Sequence, residues 1–109
     1  MKQLLNNEPP YYAVIFTSKK NLNDDGYSEM AKRMELLSAA ESGFLGIQSA
    51  RGEDGLGITV SYWKSLEDIR KWKSHLDHRE AQAKGKSHWY QGYEVRICKV
   101  ERQYEFGEI

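Results

Sequence analysis

The chain has one cysteine and two prolines among its 109 residues. A lone Cys98 excludes an intrachain disulfide and any zinc or iron–sulfur site built on several thiolates. Nothing marks a disulfide-stapled secreted scaffold. Both prolines stand together at Pro9-Pro10, so no proline interrupts the rest of the chain. Long apolar runs are also missing. The longest is Tyr11 to Phe16, six residues, where a membrane helix needs about 20. Met1 to Pro10 is polar and lacks the apolar core of a signal peptide, so the cytoplasm is the expected location and no membrane partner is expected. There is no excess of charge either. Sixteen Lys and Arg balance sixteen Asp and Glu, for a formal net charge of zero. That argues against a nucleic-acid binder, which needs a basic surface to neutralise phosphates.

What remains is 39% hydrophobic and 29% charged, the composition of a folded soluble domain. The length suits one domain, since domains commonly run about 100–150 residues. Residues 1–10 read as an extended leader, 11–102 as the domain and 103–109 as an acidic, aromatic tail. Tyr11 to Ser18 (YYAVIFTS) is the first expected strand, rich in aromatic and β-branched residues. Lys19 to Gly26 reads as a loop. From Tyr27 to Ala40 the pattern turns helical: Met30, Met34 and Leu37 recur at spacings of four and three, and Tyr27, Ala31 and Ala40 widen the stripe. Gly43 is expected as a left-handed cap. Phe44 to Ala50 and Ile58 to Trp63 are expected strands, joined by the glycine-rich hairpin Arg51 to Gly57. Ser65 with Asp68 opens a second helix as a variant capping box. Leu66, Ile69 and Trp72 share one of its faces. A further helical segment is expected from Asp77 to Lys84, and Tyr93 to Val100 is the fourth strand.

This order, βαββαβ, predicts an α+β fold, a ferredoxin-like antiparallel sheet with both helices on one face. In the first strand Tyr12, Val14 and Phe16 point one way, and Tyr11, Ala13 and Ile15 the other. Both faces are apolar, yet two helices cover only one. The open face therefore predicts a ligand or a second sheet, and favours a homodimer packed sheet to sheet.

Tyr62-Trp63-Lys64-Ser65, followed by Ile69, Trp72 and His75, resembles the antibiotic biosynthesis monooxygenase family, in which a strand ends in Trp-x-Ser and the next helix carries a second Trp. Gly43-Phe44-Leu45-Gly46 is similar to the turn that opens that family's second strand. The resemblance runs from Tyr11 to Arg102. It implies a dimeric α+β barrel with a pocket between sheet and helices. It also implies oxidation of quinols or anthrones by molecular oxygen without metal or flavin, the deprotonated substrate itself reducing the oxygen. A haem-degrading branch uses an Asn on the first strand, a Trp on the second helix and a His ten residues later. Here Trp72 matches the Trp, Gln82 stands where the His would be, and Tyr11 to Ser18 holds no Asn. Haem is therefore disfavoured, and would need another ligand such as His75 or His78.

Several residues carry candidate chemistry. His75, on the helix that borders the family's pocket, is the preferred general base, since an imidazole titrates near neutrality. His78 is three residues on and would share its helix face as a substrate contact. The pair matches no zinc motif, so no metal is expected. Trp63 and Trp72 could wall a pocket and stack on a flat ring, although burial in a core is what Trp residues commonly do. Phe16 joins them as a substrate contact. Tyr62, Tyr90 and Tyr93 are candidate hydroxyl donors for orienting a substrate or stabilising an oxyanion, although tyrosines more commonly fill a sheet core with a wet tip. Arg51, at the end of the second strand, could reach an anionic substrate or be a solvated hairpin residue. Cys98, among apolar residues in a strand, is expected to be a buried inert thiol. Gly52, Gly55 and Gly57 make no phosphate loop, because no Lys-Ser/Thr follows.

The first functional reading is a cofactor-independent monooxygenase acting on a small aromatic quinol, anthrone or polyphenol. In it Trp63 and Trp72 wall the pocket, and His75 or a tyrosine such as Tyr62 handles the substrate proton. The alternatives are a haem protein with a non-standard ligand and a non-catalytic dimer that binds a small hydrophobic molecule.

Overall fold

The computed structural model describes residues 7–21, 26–77 and 89–108. Six elements follow in order: β1 (Tyr11–Lys20), α1 (Tyr27–Ala39), β2 (Phe44–Arg51), β3 (Leu56–Trp63), α2 (Leu66–Asp77) and β4 (Tyr90–Val100). The strands form one antiparallel sheet in the order β2-β3-β1-β4. This is the α+β, ferredoxin-like arrangement that the strand and helix patterns predict. The expected helical segment beyond Asp77, with His78, and the first six leader residues lie outside the described residues.

Register assigns each side chain to a face. Tyr12, Val14, Phe16 and Ser18 of β1 lie opposite Trp63, Ser61, Thr59 and Gly57 of β3, and opposite Lys99, Ile97, Val95 and Tyr93 of β4. Both helices pack on this face: Trp72 of α2 stacks on Trp63 at 6.0 Å between ring centroids, and Tyr27 of α1 meets Arg51. The other face carries Ala13, Ile15 and Thr17 of β1 opposite Tyr62, Val60 and Ile58 of β3. Ile58 there is 48% exposed. Cys98 lies opposite Ala13 on that same face. It is exposed rather than buried, because no described helix covers the side of the sheet to which strand alternation sends it.

α2 begins as the Ser65–Asp68 pair predicts. The Ser65 hydroxyl accepts the Asp68 backbone N–H at 3.1 Å and donates to the Asp68 carboxylate at 2.7 Å. Ile69 is buried and Trp72 half-buried, while Leu66 at the first turn is exposed. On α1, Tyr27, Met34 and Leu37 turn inward, whereas Ala31 and Ala40 are exposed, so the buried stripe is narrower than the spacing suggests.

The left-handed cap expected at Gly43 is not formed. α1 ends at Ala40 in a right-handed conformation, with the Ala40 N–H reaching the Leu37 carbonyl and the Glu41 N–H that of Ser38. Gly43 is required instead by close approach. A Cβ there would stand 2.1 Å from the Asp68 carboxyl carbon and 2.5 Å from the Asp68 Cβ. The Gly43 carbonyl also accepts the Lys64 N–H at 2.9 Å, tying the end of β3 to the turn before β2. Gly43→Ala should therefore push Asp68 off Ser65. Losing the cap costs about 1 kcal/mol and overpacking adds ~1–3 kcal/mol. Urea melts should show a loss of about 2–4 kcal/mol. A loss below ~0.5 kcal/mol, the range of an ordinary surface substitution, would mean that this approach has no structural role.

Candidate functional site

Two side-chain clusters sit on the helix-facing side of the sheet, at opposite ends. The first surrounds Trp63. Its ring is fully buried, at 0% exposure. Phe44 meets it edge-on at 5.5 Å and Trp72 stacks on it. Its indole N–H donates to the Ser61 hydroxyl at 2.9 Å. His75 lies against the edge of Trp72 at 5.8 Å, with Nδ1 3.7 Å from a Glu41 carboxylate oxygen. This end is packed, and the indole donor is already used within the protein.

The second cluster is built at the other end of the same face, around Gly57. Six residues separate Gly57 from Trp63 along β3, a rise of roughly 20 Å. Arg51 stands opposite Gly57, and its guanidinium lies across that glycine. A Cβ on Gly57 would come within 2.5 Å of the guanidinium carbon. This is why β3 starts at Leu56 and keeps a glycine second, where the sequence reads as hairpin. One terminal nitrogen of Arg51 donates to the Gly55 carbonyl and, at 3.4 Å, to the Ser18 carbonyl. The other donates to the Ser18 hydroxyl at 2.8 Å and to the Tyr27 hydroxyl at 3.1 Å. All these acceptors are neutral. Among the described residues, no carboxylate pairs with Arg51.

Aromatic rings enclose this charge. The Tyr90 hydroxyl lies 3.4 Å from that of Tyr27. Phe16 meets Tyr90 at 5.6 Å and Tyr93 at 5.2 Å. Trp89 and Tyr90 each meet the Tyr27 ring edge-on, and the Lys20 ammonium sits 4.9 Å from its centre. Burial pushes the Tyr90 phenol well above the usual tyrosine range, and the hydrogen bond to Tyr27 adds to the shift. Tyr90 is therefore held neutral, with its hydroxyl proton kept for hydrogen bonding.

Tyr90 and Tyr93 are three apart, so a regular strand would send them to opposite faces. A register shift prevents this. Lys19 pairs with Gly92 but Lys20 pairs with Tyr90, leaving Gln91 as an extra residue. The bulge returns Tyr90 to the face of Phe16 and Tyr93. It also explains why β4 starts at Tyr90, three residues before the expected start. From Tyr93 the same face continues along β4 through Val95 and Ile97, which are 48% and 51% exposed. An open apolar lane thus runs into the Arg51 cluster.

The structure brings together Phe16, Arg51 and Tyr90 at one end and Trp63, Trp72 and His75 at the other. Tyr62 joins neither. It lies on the opposite face, where its hydroxyl donates to Gln48 at 3.2 Å and its ring meets Tyr11. Ser18, Tyr27 and Trp89 belong to the Arg51 cluster without having been marked by sequence pattern. Tyr27 in particular reads as one more residue of a helix stripe. Among the described residues no group of three His, Cys, Asp or Glu could hold a metal ion, and no helix is long and apolar enough to cross a membrane. An open depression between Glu8, Pro9 and the segment 101–105 lies apart from both clusters, and its carboxylates suit no apolar ring.

A family model described as "Monooxygenase af470-like" matches residues 17–99. The chain belongs to the monooxygenase af470-like family. Two of its relatives differ in how much they say. The uncharacterised protein YqjZ of Bacillus subtilis is 55% identical over 101 residues, covering 93% of this chain and 89% of that protein. The jasmonate monooxygenase ABM of Pyricularia oryzae is 25% identical over 103 residues, covering 90% of this chain. The chain spans only 47% of that second relative's length. Among solved structures, SnoaB, a cofactor-independent oxygenase from Streptomyces nogalater, superposes with a TM-score of 0.69 at 10% identity, over 85% of this chain and 95% of that one. A dimeric ferredoxin-like protein of unknown function from Thermobifida fusca gives 0.66 at 14% identity, over 85% and 93%. At such identities these likenesses establish the fold, and the family's resemblance to antibiotic biosynthesis monooxygenases stands with it.

Proposed function

We propose that this protein is a cofactor-independent monooxygenase that oxidises a small flat aromatic, an anthrone, quinol or polyphenol, with molecular oxygen. One observation carries the reading: the open lane of Phe16, Tyr93, Val95 and Ile97 that ends on the half-buried Arg51 guanidinium, whose partners among the described residues are all neutral. An apolar lane with one positive end suits a ring that becomes negative as it reacts. In an anthrone, the reacting methylene loses a proton, and the resulting anion reduces the oxygen. Overall the carbon loses two hydrogens and gains one oxygen atom as a carbonyl, while the second oxygen atom leaves as water. The proton passes to solvent and is recovered from it in the water formed, while the positive end stabilises the anion left behind. Tyr90 keeps its proton through burial and its bond to Tyr27, so it serves as a hydrogen-bonding group and not as the base. Phe16 and Tyr93 flank the ring. His75 belongs to the Trp63 end, which lies roughly 20 Å from Gly57 along β3, so it takes no part at the Arg51 end. One relative named as a jasmonate monooxygenase, the family's own description and an oxygenase with this fold add support.

In the same reading the protein is a cytoplasmic homodimer. The apolar face that the helices leave open supports this, as does the dimeric state of a protein with this fold.

Oxygen-electrode assays with anthrones, quinols and polyphenols test the activity. The expected result is uptake above spontaneous oxidation, unaffected by chelator, with kcat/KM falling about tenfold in Tyr90→Phe, the size of one good hydrogen bond to a charge. Uptake equal to the buffer control across all three classes would leave a ligand binder and no oxygenase.

A further inference from the structure

The hydroxyls of Tyr27 and Tyr90 have two protons between them and share one hydrogen bond. The Tyr27 oxygen also accepts an N–H from Arg51. Neither hydroxyl donates to any other group among the described residues. Whichever phenol donates within the pair, one phenolic proton is left over. A hydroxyl proton that no described group accepts is free to be donated to a ligand. The Arg51 charge, already bonded to Ser18, Tyr27 and the Gly55 carbonyl, acts on a ligand through these phenols rather than by direct contact. The pair stands where the apolar lane of Tyr93, Val95 and Ile97 begins.

We propose that the Tyr27–Tyr90 hydroxyl pair, polarised by Arg51, is a binding site for the ionised oxygen of a flat organic ligand, a phenolate, enolate or carboxylate whose ring lies along β4. The phenol that keeps the spare proton donates to the ligand oxygen, and its partner holds and polarises it through their shared hydrogen bond. Arg51 is a positioning residue behind them, and Gly57 keeps it in place. The inference rests on the lane being the ligand's place, but not on any reaction with oxygen.

Three probes with one ring test it: 4-nitrophenol, 4-nitrobenzoate and the neutral 4-nitroanisole. The nitrophenolate is yellow and the phenol nearly colourless, so absorbance reports ionisation in the site directly. The full-length protein should bind nitrophenolate about tenfold more tightly than nitroanisole, and the apparent pKa of bound nitrophenol should fall by about one unit, the same tenfold. Tyr27→Phe and Tyr90→Phe should each reduce the preference to less than about threefold while changing nitroanisole affinity by less than about twofold, as loss of a hydroxyl donor requires. Gly57→Ala forces the Arg51 guanidinium aside and should lower the ionisation of bound nitrophenol with every charge retained. Circular dichroism confirms that each variant is folded. A matching preference for nitrobenzoate would assign the site to carboxylates as well as phenolates. Equal affinities for charged and neutral probes, absence of binding by all three, or an unchanged preference in folded Tyr27→Phe would overturn the proposal. Charge-selective binding without any oxygen uptake would keep this site and reject the monooxygenase reading. Uptake without charge selectivity would do the reverse.

Discussion

Trp63→Ala is expected to cost about 4 kcal/mol, within the range for truncating a large aromatic in a core. The residue is fully buried. Removing it empties the space between Phe44 and Trp72, takes away two aromatic contacts each worth ~0.5–1.5 kcal/mol beyond their area, and leaves Ser61 without the indole donor. Set against a total stability of about 5–15 kcal/mol for an ordinary domain, this is a large fraction. A midpoint shift on the order of 20 °C follows for a chain of this size. Trp63→Phe keeps an aromatic ring and should lose less than half as much. The pair of variants matters for interpreting activity. If Trp63→Ala abolishes turnover while Trp63→Phe, folded and stable, retains it, the tryptophan acts by holding α2 against the sheet. A loss under 1 kcal/mol for Trp63→Ala would contradict a core role altogether.

Val60→Glu is the second substitution with a large expected effect, and its effect is on association. Val60 lies opposite Ile15 in the middle strands, on the face away from the helices. Within one chain the change should be mild, because surface substitutions are usually neutral within about 0.5 kcal/mol. In a sheet-to-sheet dimer the two-fold axis repeats it, so two carboxylates would enter one apolar interface, where an unpaired buried charge costs several kcal/mol. Sedimentation at micromolar concentration should show the unaltered chain as a dimer and Val60→Glu as a folded monomer. A unaltered chain that sediments as a monomer, or a Val60→Glu variant that stays dimeric, would count against this face as the interface. Exposed Cys98 gives an independent readout: it shares that face, so thiol labelling should speed up in the monomeric variant.

Much of this fold could be read from the residues, and the misreadings share a cause. Alternation in Tyr11 to Ser18 identifies a strand with two apolar faces, but β1 continues through Lys19 and Lys20. Its last residues are held by backbone bonds, such as the Lys20 N–H to the Gly55 carbonyl at 2.9 Å, and backbone bonds leave no apolar signature. Gly57 reads as part of a hairpin and Gln91-Gly92 falls before the expected fourth strand, yet each lies inside a strand. One makes room for Arg51 and the other carries the bulge. Cys98 looked like core because its neighbours in sequence are apolar, whereas exposure depends on which face receives a cover. The Arg51 cluster was only half visible. Arg51, Phe16 and Tyr90 could be marked by residue type, but Tyr27 gains its place from contacts 24 and 63 residues away along the chain. No local pattern encodes those distances.

The extra residue in β4 gives this protein an unusual way to change. A strand has a parity, and Gln91 alone decides on which side of the sheet Tyr90 falls. Losing one residue there would remove a hydroxyl from the lane and present it to the opposite surface, with every side chain of the lane intact. In the proposed site, variation at this step among related chains would change which hydroxyls face the lane by counting rather than by chemistry. A comparison of relatives that aligns only the tyrosines would overlook it.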